Sequence, residues 1–184
     1  MLATVITVIA LGYLFVTLFV LAPHKAGYSH LRHTISEIGE TGARHQRFVA
    51  FGLFLPIGLL LLVVAYLARQ TAPPVAALAL CIAVGYLGAA LFPCDPGSPM
   101  WGSTRQFFHN LAGAVEYTGG GFALMTIARD FGQPFQLAGF IVLGSVIGLS
   151  VLPSGAGRGA LQRIAEVCLF GGLALAAWKL GSPA

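Results

Sequence analysis

Charged residues are scarce in this chain of 184 residues: they make up 9% of it, whereas hydrophobic residues make up 57%. A soluble globular domain carries about 25% charged residues, so the composition excludes an ordinary soluble fold. It also excludes a disordered protein, because disorder requires low hydrophobicity and high charge. The three cysteines are too few for a disulfide scaffold. With a mean hydropathy of +0.85, the sequence predicts an integral membrane protein.

Long uncharged segments, separated by charged or helix-breaking residues, provide the membrane helices. A helix needs about 20 mostly apolar residues to cross a bilayer. Six segments approach that length, at residues 1–22, 48–68, 75–92, 107–128, 135–152 and 164–180. The last is the least typical, because Glu166 lies in its first turn. We expect an all-α bundle of six transmembrane helices in a single membrane domain. No positive charge precedes the first segment, which is therefore expected to be a retained helix rather than a signal peptide.

The basic residues indicate an orientation, since Lys and Arg are enriched in cytoplasmic loops. Most of them fall in the loops after spans 1, 3 and 5: Lys25, Arg32, Arg44, Arg47, Arg105, Arg158 and Arg163. This bias predicts that both termini lie outside, in a prokaryotic cytoplasmic (inner) membrane. The net charge of +4 also fits contact with anionic membrane lipids. No basic and aromatic stripe indicates a nucleic-acid partner.

The reactive side chains are concentrated toward that same membrane face. It holds all five histidines and most of the acidic residues. His109 and Glu116 are seven residues apart, so they share one face of the fourth helix, and Gly113 between them leaves space. A carboxylate inside a membrane costs about 2.5–3.5 kcal/mol and normally faces a partner or a wet cavity. Glu116 is therefore either a site residue or a structural carboxylate bonded to Tyr86 or Arg163.

The first loop contains a helix-starting pattern. Thr34-x-x-Glu37 is a capping box and predicts a short helix at the membrane interface. Ile35 and Ile38 would dip into the interface, and Ser36 and Glu37 would form its polar side. An amphipathic helix without any chemistry is the alternative interpretation.

The third loop holds Asp95 in a proline- and glycine-rich bend, residues 93–99, where the third helix ends. Its carboxylate could ligate a metal, orient a histidine such as His109, or close an Asx-turn. Cys94 is next to it, but no C-x-x-C pattern indicates a metal knuckle or a redox pair. Haem is disfavoured, because only His109 lies within a span.

Three of these features together resemble the DUF998 family of bacterial and archaeal membrane proteins. They are Tyr28-Ser29 with the run at 34–39 that contains Ser36, the helix exit at 91–95 that ends in Asp95, and His109 at the start of the fourth helix. The resemblance implies a six-helix membrane fold and marks Ser36, Asp95 and His109 as the positions that matter. It carries no established activity.

The first functional hypothesis is an intramembrane hydrolase or transferase that acts on a lipid-type substrate, with Glu116 near its site. In one form, His109 and Asp95, together with Glu37 or His33, hold a metal such as zinc, whose bound water is activated. In the other form, Ser36 is the nucleophile, His109 is the base and Asp95 orients the base.

Two other classes stay open. A non-enzymatic accessory or assembly subunit would bind lipid, quinone or a larger membrane complex, or would form a homo-oligomer. A proton-coupled transporter would use Glu116, but the six segments show no internal repeat or matched broken helices.

Overall fold

Six helices, which we label α1 to α6, make up most of the protein. The computed structural model describes residues 1–181, and in this part of the chain it contains no strand. The first three helices are Leu2–Leu21 (α1), Gln46–Ala68 (α2) and Pro73–Leu91 (α3). The last two are Gln133–Val151 (α5) and Arg158–Gly181 (α6). Helix α4 has three successive parts: α-helical Thr104–Ala114, π-helical Val115–Gly119 and α-helical Gly120–Phe131.

The helices form a closed ring in which each one packs against the next along the chain. Helix α6 returns to pack against α1 and completes the ring. Its last residue, Gly181, lies beside the amino terminus, since a Cβ on Gly181 would lie 2.7 Å from the Met1 nitrogen. Helices α1 and α6 therefore begin and end at one end of the bundle.

The loops after α1 and α3 and the first turn of α6 are bonded together at the other end of the bundle. The Thr41 amide donates to the carbonyl oxygen of Cys94 at 2.9 Å, and the Ala160 amide donates to that of Leu31 at 2.9 Å. The Gly97 amide donates to the Glu40 carboxylate at 2.8 Å. The sequence places the histidines and most of the acidic residues at this end, and the structure joins the two loops and the start of α6 into one surface.

Within residues 1–181, five helices are long and apolar enough to cross a membrane: α1 with its extension to His24, α2, α3, α5 and α6. Four of the predicted segments agree with them to within about two residues at each end. The last predicted segment lies within α6, whose helix starts at Arg158 rather than at 164. The predicted segment 107–128 lies within α4, which is not among the five because its apolar run contains polar residues.

The sequence predicts an amphipathic helix at the membrane interface in the first loop. This prediction is wrong about both the length of the helix and what surrounds it. The segment Ser36–Gly39 forms a single 3-10 turn, and Ile35 and Ile38 are each only 2% exposed. The loop folds over the end of the bundle, so these side chains join the protein core instead of the membrane interface. The capping box is confirmed: the Thr34 amide donates to the Glu37 carboxylate at 2.8 Å, and the Glu37 amide donates to the Thr34 hydroxyl at 3.3 Å.

Candidate functional site

Ser36 and His109 form a hydrogen-bonded pair where the first loop meets α4. The Nε2 atom of His109 lies 3.2 Å from the Ser36 hydroxyl, and its Nδ1 atom lies 2.8 Å from the carbonyl oxygen of Phe92. A carbonyl oxygen only accepts hydrogen bonds, so Nδ1 carries the proton and Nε2 accepts from Ser36. This is the arrangement in which a histidine takes a proton from a serine nucleophile.

The capping box fixes the position of Ser36 in this pair. The Glu37 carboxylate also accepts from the Thr34 hydroxyl at 3.0 Å. The Ile35 amide, one residue before Ser36, donates to the Gln162 side chain on α6 at 2.7 Å. Ser36 is therefore held by its own turn and by a second helix, although its side chain is only half-buried.

Asp95 lies near this pair but its carboxylate is bonded elsewhere. It accepts from the backbone amide and the hydroxyl of Ser103, both at 2.8 Å, and from Arg105 at 2.8 Å. The Ser103 amide, followed by Arg105 and the Ser103 hydroxyl, holds the pKa of Asp95 below its ordinary value. The hydroxyl of Ser103 also caps α4 by accepting from the Gln106 amide. The sequence predicts that Asp95 orients His109, but the hydrogen bond from the histidine Nδ1 goes to the carbonyl oxygen of Phe92 instead.

A cavity of about 170 Å³ adjoins the Ser36–His109 pair and brings together three of the four predicted site residues. Ser36, His109 and Glu116 all line it, whereas Asp95 does not. Gly113 also lines it, and a Cβ at that position would meet no atom within 4 Å. The space that the sequence predicts beside Gly113 is therefore present.

Glu116 is a buried carboxylate, one oxygen of which has no hydrogen-bond partner in the described part of the chain. It is 5% exposed, and its Oε1 atom has no partner among residues 1–181. It lies in the π-helical part of α4, a deviation that is frequent at functional sites. Its side chain lies against Gly85 of α3, where a Cβ would collide with the carboxylate. The structural alternative, a bond from Glu116 to Tyr86 or Arg163, does not form.

The hydroxyls near the centre of the bundle bind Glu166 instead. Tyr117 donates to one oxygen of this carboxylate at 2.6 Å, and Tyr86 donates to the other at 2.9 Å. Gln162 donates to the Tyr117 hydroxyl at 2.9 Å. Because Gln162 also accepts from the Ile35 amide, this network links the centre of the bundle to the loop that carries Ser36.

Sequence reasoning missed Arg158 and Gln162, both of which line the cavity. Arg158 is 7% exposed and donates to the carbonyl oxygen of Ser98 at 2.9 Å. A signal for both was present in the sequence: Arg158, Gln162 and Glu166 recur every four residues and so form a polar stripe on one face of an apolar helix. The predicted span begins only at 164, so two of the three residues of this stripe fall outside it.

The four residues predicted to hold a metal are not brought together. The Glu37 carboxylate is bonded to Thr34, and the Nδ1 atom of His33 accepts from the Ser29 amide at 2.9 Å. Within the described part of the chain, no three His, Cys, Asp or Glu side chains are grouped so that they could hold a metal ion. Burial raises the pKa of Cys94 to about 12, so this residue remains a neutral thiol.

The chain belongs to the family of proteins of unknown function called DUF998, whose model matches residues 8–179. The match covers most of the chain, as the resemblance in the sequence implies, and includes the whole candidate site. No curated protein and no solved structure matches the chain.

Proposed function

We propose that this member of the DUF998 family is an intramembrane serine hydrolase or acyltransferase that acts on a lipid-type substrate. The observation that carries the proposal is the Ser36–His109 hydrogen bond of 3.2 Å at the wall of a cavity. A serine hydroxyl becomes an effective nucleophile when an adjacent base accepts its proton and a third group orients that base. Here the carbonyl oxygen of Phe92 orients the base.

In the proposed reaction the Ser36 oxygen attacks the carbonyl carbon of an ester while His109 takes the hydroxyl proton. The bond from that carbon to the alcohol oxygen then breaks, and His109 gives the proton to the leaving alcohol. The acyl group on Ser36 passes to water in a hydrolase or to a second alcohol in a transferase. Glu116, further into the cavity, is placed to bind a polar group of the substrate.

The proposal also includes six membrane crossings. Helix α4 has consecutive parts of 11, 5 and 12 residues, and at about 1.5 Å per residue it extends about 40 Å, more than the hydrocarbon core needs. Its polar residues His109 and Glu116 face the cavity rather than the outer surface. With six crossings, and with Lys and Arg enriched at the end of the bundle formed by the loop after α1 and the starts of α4 and α6, both termini lie outside the cytoplasm.

Covalent labelling of the purified full-length protein with a fluorophosphonate tests the proposed nucleophile. The probe reacts with an activated serine, so we expect one label, on Ser36, identified by peptide mass spectrometry. Ser36→Ala should abolish labelling. His109→Ala should slow it at least about a hundredfold, because general-base catalysis typically contributes a factor of 10² to 10⁴.

Ser150→Ala is the matched control. Ser150 lines the same cavity, but its hydroxyl donates to the Val146 carbonyl oxygen at 2.7 Å and contacts no histidine. This variant should label at the wild-type rate. Absence of labelling in the folded wild-type protein, or equal labelling of Ser36→Ala, would contradict the enzymatic proposal and favour a non-enzymatic accessory subunit.

A further inference from the structure

Arg158 is a buried cation whose hydrogen-bond partners are all neutral. It is 7% exposed, and it donates to the carbonyl oxygens of Ser98 at 2.9 Å and Gly97 at 3.4 Å. Its Nε atom is buried without a hydrogen-bond partner, and no carboxylate in the described part of the chain forms an ion pair with it. A buried charge is normally paired, so the guanidinium lacks an anion.

The surroundings of Arg158 are built to hold it in place. Ser98, whose carbonyl oxygen it binds, has a positive φ of 45°, which is unusual for a residue other than glycine. The adjacent Gly159 packs directly on the backbone carbonyls of His30 and His33, leaving no room for a larger residue. The guanidinium is therefore fixed in the cavity wall rather than free to extend into solvent.

Arg158 and Glu116 lie at different depths in the cavity. Arg158 is bonded to the loop that follows α3, at the same end of the bundle as Ser36 and the amino-terminal part of α4. Glu116 is seven residues beyond His109, which places it about 10 Å further along the helix. An anionic group can therefore bind at the loop end without meeting the Glu116 carboxylate.

The cavity also reaches the lateral surface of the bundle. Ala114 of α4 and Ser150 of α5 both line it and are exposed. Next to them on the outer surface lie Val115 and Ile147, which are 38% and 66% exposed. Helix α5 packs along the second half of α4 and diverges from the first half, so the opening lies between them. An apolar chain can pass through such an opening while a polar headgroup stays inside.

We infer that Arg158 binds the phosphate group of a phosphate-bearing lipid whose apolar chains leave through the opening between α4 and α5. The inference rests on the proposed function, since it names the substrate class of the same site. Arginine suits this role because its planar guanidinium donates two parallel hydrogen bonds to phosphate oxygens. Arg158 lines the cavity, and no carboxylate in the described part of the chain neutralises its charge, so that charge is available to a phosphate there.

Equilibrium binding to the full-length Ser36→Ala protein in detergent tests the inference separately from catalysis. The probes are dihexanoyl phosphatidic acid, uncharged dihexanoylglycerol and inorganic phosphate. We expect phosphatidic acid to bind at least about tenfold more tightly than dihexanoylglycerol, and inorganic phosphate to compete only weakly. Equal binding of the two lipids would overturn the inference. If inorganic phosphate bound tightly and neither lipid did, the ligand would be free phosphate and not a lipid headgroup, which would also overturn it.

Substitutions of Arg158 test whether its charged side chain makes the contact with the phosphate group. Arg158→Gln, in the Ser36→Ala background, should remove the tenfold preference, and Arg158→Lys should retain part of it. Arg129→Gln is the matched control, because Arg129 is exposed at the opposite end of the bundle. A preference that persists in folded Arg158→Gln overturns the inference.

If Arg158→Gln does not fold, Arg158→Lys decides, because lysine keeps the charge but cannot donate two parallel hydrogen bonds to phosphate. A preference for phosphatidic acid in folded Arg158→Lys equal to that of the Ser36→Ala protein contradicts the arginine contact. Binding without labelling of Ser36 in the wild-type protein would contradict only the proposed reaction, and labelling without this preference would contradict only the role of Arg158.

Discussion

At the scale of single residues, the sequence predicts that Ser36 and His109 act together, and their side chains are hydrogen-bonded, but it does not predict the group that orients the histidine. Asp95 is the natural choice because carboxylates commonly orient histidines, and the chain places it close by. The observed acceptor is the carbonyl oxygen of Phe92, and a backbone carbonyl has no signature in residue type. Asp95 instead binds Ser103 and Arg105 at the start of α4, so its contribution is to the position of the helix that carries His109.

Two buried glutamates provide a residue-scale prediction, since they differ in their partners. Glu166→Gln should lower the free energy of unfolding by about 1–3 kcal/mol, because the carboxylate accepts from both Tyr117 and Tyr86 and an amide cannot accept both bonds. Glu116→Gln should leave stability unchanged or raise it, since the Oε1 atom has no partner to lose. Titration with a denaturing detergent, followed by circular dichroism, measures both variants.

Each glutamate serves as the other's control, because both are buried and the substitution is the same. A loss of stability in Glu116→Gln equal to that in Glu166→Gln would show that Glu116 is structural. The site interpretation of Glu116 additionally expects slower labelling of Ser36 in Glu116→Gln at unchanged stability.

At the scale of helices and turns, apolar length locates five spans well but misjudges elements whose polar residues face inward. Helix α6 begins at Arg158, before the predicted span, because its polar first turns pack inside the protein. The prediction for the first loop is wrong for a related reason: apolar residues three apart indicate an apolar helix face, but not whether lipid or protein covers it. Ile35 and Ile38 are covered by protein.

The junction between α6 and the first loop gives an element-scale prediction. A Cβ on Gly159 would collide with the backbone carbonyl oxygens of His33 and His30, and backbone atoms cannot rotate away. Gly159→Ala should therefore cost about 1–3 kcal/mol of stability and slow the labelling of Ser36, since the loop must move. Thermal unfolding and the labelling rate are the measurements.

Gly171→Ala, in the same helix, is the matched control. A Cβ at Gly171 would meet nothing within 4 Å, and alanine is favoured over glycine inside a helix by about 1 kcal/mol. This variant should be as stable as the wild-type protein or more so. Equal behaviour of the two variants would contradict the tight contact between α6 and the first loop.

At the scale of the whole molecule, the number of membrane crossings depends on whether α4 crosses. The closed ring of helices favours a crossing. If α4 did not cross, five crossings would place the two termini on opposite sides of the membrane. In the structure Gly181 lies beside Met1, and the loops after α1 and α3 are bonded to each other and to the start of α6 at the other end. A helix that did not traverse the bundle would separate these two sets of contacts.

We therefore expect reporters fused to either terminus to report the same side of the membrane. Alkaline phosphatase, active only outside the cytoplasm, should be active at both ends, and green fluorescent protein exported through the same pathway should be dark at both. Reporters inserted after Gly42 in the first loop provide the control and should give the reverse pattern. Both termini inside would retain six crossings and refute the orientation derived from loop charge. Termini on opposite sides would refute α4 as a crossing, and with it the placement of Glu116 within the membrane.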